Sequence, residues 1–93
     1  MIIRIDPHTL ERAEERGASE KEIEEVIKSG FAIDAKYGRT GKAKIFNFHE
    51  YRHGRFYEEK RIEVFYIIEK EAYITVTVYV FYGKWEEKDE DKL

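Results

Sequence analysis

Two apolar periods divide the chain. Between residues 6 and 30 apolar side chains recur every three or four positions, Leu10 and Ala13 in one set and Ile23, Val26 and Ile27 in the next. That is the spacing of a helix that buries a single stripe. From Phe31 onward the spacing falls to two, and β-branched and aromatic residues dominate, as in a sheet with one face against a core. The pattern predicts an α+β fold, with two N-terminal helices packed on a twisted antiparallel sheet of four to five strands.

Local signals set the expected boundaries. Asp6-Pro7 starts the first helix, because aspartate accepts from free backbone N–H groups and proline is tolerated at the first helical position. The helix is expected to run to about Arg16 and stop at Gly17, with Leu10, Ala13 and the stem of Glu14 inward. His8, Arg12 and Glu15 or Arg16 then share an adjoining face. Ser19-Glu20-Lys21-Glu22 is a capping box for a second helix ending near Ser29, with Gly30 suited to a left-handed stop. Residues 1–5 read as an edge strand or extended arm. Further strands are expected at about 31–37, 43–49, 54–58, 61–68 and 72–82. Turns are expected at Gly38-Arg39-Thr40-Gly41 and Glu69-Lys70-Glu71, with a turn or bulge at Arg52-His53-Gly54. In the last strand alternation sends Ile74, Val76, Val78, Val80 and Tyr82 toward the helices and Tyr73, Thr75, Thr77, Tyr79 and Phe81 away. A single domain over 1–85 and a frayed polar tail at 86–93 complete the expectation.

Composition narrows the classes. Ninety-three residues leave room for one modest core, which seven Tyr, six Phe and one Trp must largely supply. Cysteine is absent, so neither a disulfide framework nor a thiolate metal site is implied, and a reducing compartment fits. No stretch approaches the roughly 20 apolar residues that span a bilayer, which points to a cytoplasmic protein without a membrane partner. Abundant Glu and Lys with a single Pro are compatible with a heat-adapted source. The net charge of −3 conceals a positive middle: residues 36–70 hold nine basic and five acidic side chains, against five and nine in residues 1–35. Such a block attracts a polyanion, docks an acidic partner or pairs internally.

Several groups are candidates for chemistry. Imidazole exchanges protons near neutral pH, and Arg12 follows His8 by one helical turn, a pairing suited to phosphate. A helix-start histidine bonded to local backbone, and arginines paired with Glu11, Glu15 or Glu20, are the structural alternatives. Thr75, Thr77 and Tyr79 form a row of strand hydroxyls that β-propensity would also explain, and Arg61 and Glu63 are expected on a neighbouring strand. Lys36, Arg39, Lys42, Lys44, Arg52 and Arg55 interleave with Tyr37, Tyr51, Phe56 and Tyr57, a combination that serves RNA by neutralisation and stacking and equally describes a lysine-protected edge. His49 and His53 lack the further ligands that zinc requires. No glycine-rich phosphate loop or nucleophile elbow occurs, and no cofactor is implied.

The run from His8 through Arg12, Arg16-Gly17 and Ser19 to Ile23, Val26 and Ile27, with a late Thr77-Val78-Tyr79, resembles a bacterial and archaeal family of domains of unknown function. That family opens on a helical H-x-x-x-R-x-x-x-R-G-I-S segment; Ala18 stands here in place of the isoleucine. It is similar to the RelE and barnase-like metal-independent endoribonuclease toxins, many of them encoded beside an antitoxin. The resemblance covers about residues 6–82 and implies RNA cleavage; the expected roles are His8 as general acid or base, Arg12 with Arg16 or Arg61 on phosphate, and Thr77 or Tyr79 as positioning hydroxyls, while the middle strands carry no motif that decides between Arg61 and Lys44 as a further cation. A non-catalytic RNA-binding or protein-interaction domain, or a homodimer through the aromatic strand face, is the alternative expectation.

Overall fold

The computed structural model describes residues 2–85, so the expected tail at 86–93 lies outside the described residues. The elements follow the order β1 (Ile2–Ile5), α1 (Pro7–Arg16), α2 (Glu20–Ser29), β2 (Phe31–Ile33), β3 (Thr40–Arg52), β4 (Arg55–Glu69) and β5 (Ala72–Gly83). The strands form one sheet in the order β1-β5-β4-β3-β2. Among the described residues no helix is long and apolar enough to cross a membrane.

The sheet is mixed rather than wholly antiparallel. β2 through β5 pair antiparallel, whereas β1 runs parallel to β5, with Ile2 opposite Ala72 and Ile5 opposite Thr75. Side-chain alternation is the same in both directions, so it carries no sign of strand sense. The expected strands at 54–58 and 61–68 are one continuous β4. The polar run Glu58-Glu59-Lys60-Arg61 reads as a break, but Glu59 sits in the ladder opposite Asn47 and Gly83 and Lys60 is buried. β2 stops at Ile33, and the reversal before β3 lies at 36–39, not 38–41. There Tyr37 and Gly38 both have positive φ and the Arg39 N–H donates to the Lys36 carbonyl at 3.2 Å, as in a type I′ turn.

Both helices lie on one face of the sheet. Ala13, Ala18, Ile23, Val26 and Ile27 pack on Ile62, Val64 and Tyr66 of β4 and Val78 of β5. Ala18, small where the resembled motif has isoleucine, is fully enclosed at the junction between the helices. Asp6 caps α1 by accepting from the N–H groups of His8 and Thr9, and the expected capping box of α2 is complete in both directions. The stem of Glu14 does not join the core; Ala13 is buried, Leu10 packs partly against it, and Glu14 is exposed.

Gly30 departs from expectation: its backbone is extended, with φ −76° and ψ 170°. It is glycine because a Cβ would stand 2.5 Å from the Val26 carbonyl oxygen and 2.6 Å from that of Ala43. The left-handed stop is at Gly17, φ 105°, where a Cβ would overlap the Tyr82 hydroxyl.

Three strands meet the C-terminal end of α1. Arg52 of β3 donates to the Glu15 carbonyl at 2.9 Å, the Tyr82 hydroxyl of β5 to Arg16 at 2.6 Å, and Lys60 of β4 to Gly17 at 2.7 Å. A helix leaves its last carbonyls unsatisfied and carries negative partial charge at that end. Two cations and a hydroxyl thus fasten α1 to the sheet.

A bulge in β5 changes which hydroxyls share a face. Phe65 pairs with Thr77 but Tyr66 pairs with Thr75, leaving Val76 as the extra residue. Directly opposed residues point the same way, so Thr75 and Tyr73 turn to the helix side with Tyr66, and Thr77, Tyr79 and Phe81 stay on the open face. Thr75 is 3% exposed and its hydroxyl has no hydrogen-bond partner. The expected row of three hydroxyls is therefore a pair, Thr77 and Tyr79, and Ile74 and Val76 do not join the helix-facing set of Val78, Val80 and Tyr82.

Candidate functional site

β1 covers β5 only as far as Thr75, so the backbone edge beyond it is open to α1, which packs beside it. Arg16 uses that opening. Its Nη1 donates to the Val78 carbonyl at 2.7 Å, and the guanidinium stands 5.7 Å from the centroid of the Tyr79 ring, within cation–π range. The side chain passes from the helix to the rim of the open face. Arg12 and His8 precede it by one and two turns on the same stripe of α1. Arg12 forms no ion pair or hydrogen bond among the described residues. His8 approaches Glu11 at 3.9 Å, and its side chain is 68% exposed. Neither ties α1 to the rest of the fold, whereas Arg16, Gly17 and Ser19 of the same motif, with Glu22 after it, all hold the scaffold together.

The open face carries Arg61, Glu63 and Phe65 of β4 opposite Phe81, Tyr79 and Thr77 of β5. Phe65 and Tyr79 meet edge to face at 6.0 Å, and Phe81 continues the aromatic row. Arg61 is held by Glu63 at 3.0 Å and lies over the Phe31 ring at 5.2 Å, so its charge is half spent on its own strand. Next to Thr77, Phe65 and Tyr79 lies an open hollow of about 270 Å³, lined also by Asp34, Lys36, Tyr37 and Arg39 from the segment between β2 and β3. Of the basic residues considered for RNA, Lys36 and Arg39 are the two that line it.

The remaining four are dispersed. Lys44 binds Glu25 at 2.6 Å and the Ser29 hydroxyl at 3.0 Å on the helix side. Lys42 lines a separate groove with Ile27, Lys28, Tyr66 and Tyr73. Arg52 is committed to α1 and to the Tyr82 ring, 4.9 Å away, and Arg55 lies at the far hairpin beside Phe56. Sequence position placed these cations in one block, and the pleat and the bulge at residues 47–50 divide them.

Asp34 and Phe65 line the hollow without having been candidates, and Tyr37, one of the expected stacking aromatics, lines it with them. For Tyr37 a signal existed, an aromatic before glycine in a turn between two strands. Asp34 and Phe65 carry no local mark and are identified by assembly alone. Lys60 was legible in retrospect, since it occupies the helix-facing phase with Ile62, Val64 and Tyr66. It is 9% exposed and reaches both oxygens of Glu22 at 3.0 Å.

Among the described residues two tyrosines on the helix side have displaced titrations. Burial raises Tyr66 above the ordinary value, with Tyr73 adding to it. Burial also raises Tyr82, which Arg52 partly counters and Glu22 reinforces. Neither is on the open face. Among the described residues no group of three or more His, Cys, Asp or Glu converges; His49, within the bulge, instead packs on Phe56.

Comparison with the curated proteins and with solved structures gives no match. A family model described as Domain of unknown function (DUF4258) matches residues 5–80. That span runs from the last residue of β1 through both helices and the sheet as far as Val80, and the chain belongs to the DUF4258 family.

Proposed function

We propose that the protein is a metal-independent endoribonuclease of the toxin type, on a RelE/barnase-like scaffold, with RNA lying along the α1 stripe and onto the open face of the sheet. The observation that carries this reading is Arg16, whose guanidinium joins the stripe bearing His8 and Arg12 to the face bearing Tyr79 and Thr77. His8 and Arg12 are exposed and make no contact that ties α1 to the sheet, which suits groups reserved for a ligand.

In this reading an RNA 2′-hydroxyl attacks the adjacent phosphorus while a base removes its proton. The bond to the 5′-oxygen breaks and that oxygen takes up a proton, leaving a 2′,3′-cyclic phosphate and a 5′-hydroxyl. His8 serves proton transfer, Arg12 and Arg16 stabilise the charge gathering on the phosphate oxygens, and Tyr79 and Thr77 position the sugar. Arg61, already paired with Glu63, is left a supporting role. Lys36 and Arg39 extend the cationic track. A cognate antitoxin is the protein partner that the reading implies, and the cytoplasm its compartment.

The test is cleavage of a single-stranded RNA in the presence of a chelator. Cyclic phosphate ends are expected, with His8→Ala and Arg12→Ala each lowering the rate by about 10²-fold or more. Intact RNA, or cleavage indifferent to both substitutions, refutes the assignment. A second reading is favoured by the aromatic row of half-buried Phe65 with exposed Tyr79 and Phe81: a non-catalytic RNA-binding domain that stacks bases. Salt-dependent binding with no cleavage selects it.

A further inference from the structure

We infer that the hollow between β5 and the segment following β2 is a nucleobase subsite that selects guanine; the inference rests on the RNA reading above. At about 270 Å³ the hollow is smaller than the roughly 300 to 1,000 Å³ of sites for drug-sized ligands. It has room for one planar ring system. Phe65 and Tyr79 offer aromatic surface from the sheet.

Tyr37 offers it from the segment after β2. Its residue is 87% exposed and its φ is 60°, so a large ring forgoes burial while its backbone occupies the left-handed region that non-glycine residues avoid. Packing within the protein gives no reason for an aromatic there. A base stacked against it supplies one.

Asp34 sets the selectivity. It is the acidic residue among the hollow's lining, and it has no ion pair or hydrogen bond among the described residues although Lys36 and Arg39 line the same hollow. A carboxylate repels phosphate, so its value on an RNA-binding surface is as a directional acceptor. Ionised, it has two acceptor oxygens and no donor. Guanine is the RNA base whose Watson–Crick edge presents two neighbouring donors, N1–H and the N2 amino group. Adenine and cytosine present a donor beside an acceptor, and uracil one donor between two acceptors. Lys36 and Arg39 then meet the phosphates on either side of the seated base.

The experiment titrates the full chain with 3′-GMP, 3′-AMP, 3′-CMP and 3′-UMP and, separately, with oligouridylate. GMP is expected to bind about tenfold or more tighter than the other three. Asp34→Asn, which replaces one acceptor by a donor at an exposed position, is expected to abolish that preference and move it toward adenine. Tyr37→Ala weakens all four nucleotides alike. Equal binding of the four, or a ranking unchanged by Asp34→Asn, overturns the subsite. Oligouridylate separates the two claims: if it binds while no guanine preference appears, the subsite falls and the RNA reading stands, and if neither oligouridylate nor any nucleotide binds, both fall.

Discussion

Tyr82 shows how much one side chain can do in this molecule. It donates to the Arg16 carbonyl, packs against Phe48 and Tyr57, and carries the Arg52 guanidinium on its ring. Tyr82→Phe is expected to cost about 1 kcal/mol in chemical denaturation, the usual net worth of a hydrogen bond. Its raised pKa fixes a pH dependence. The folded state holds the phenolic proton more tightly than the unfolded chain, so this contribution is whole below the ordinary value of 10.0 and is lost as pH rises through the elevated folded value. Stability should decline above about pH 10, and Tyr82→Phe should lessen that decline, leaving the share due to Tyr66. Lys60→Ala strands the Gly17 carbonyl and leaves Glu22 without its cation, a loss of about 2 kcal/mol by the same measurement. His8→Ala and Arg12→Ala have no such partners to strand and should move stability by no more than about 0.5 kcal/mol. Thermal melts of these two variants therefore separate loss of activity from loss of fold.

At the scale of elements, both helices were legible because their signals are local. Asp6-Pro7, Gly17 and the Ser19–Glu22 box each act within four residues, and the helices begin and end as they indicate. The sheet was legible in content but not in connection. Nothing near residues 1–5 marks β1 as the parallel partner of β5, and nothing in the alternation of residues 72–82 announces the bulge at Val76. That bulge removes Thr75 from the open face, so the site was half readable: Thr77 and Tyr79 follow from their phase, while the part played by Asp34, Tyr37 and Phe65 depends on how the segment after β2 folds over the sheet. Gly30 makes the same point. A glycine after a helix predicts a left-handed stop, but here the close approach of β3 requires it. Gly30→Ala should accordingly destabilise by about 2 kcal/mol or more, since the added methyl meets backbone rather than a movable side chain; a melt unchanged from wild type would contradict the close approach.

The whole molecule is a two-layer arrangement with helices on one side and an uncovered sheet face on the other. Its positive middle block does not form one surface. Lys44 and Arg52 turn to the helix side and are consumed there, Arg61 is paired on the open face, and Lys36 and Arg39 line the hollow while Arg16 reaches the Tyr79 ring at the rim. Few phosphate contacts imply a shallow salt dependence, with each neutralised phosphate of a single strand adding about 0.7 to the slope of log affinity on log salt. The most direct test is backbone amide shift mapping with a single-stranded RNA whose 2′-hydroxyls are methylated and which therefore stays intact. Perturbations are expected at His8, Arg12, Arg16, Asp34, Tyr37, Arg39, Phe65, Thr77 and Tyr79. Shifts confined instead to Lys28, Lys42 and Lys44 on the helix side would contradict the account.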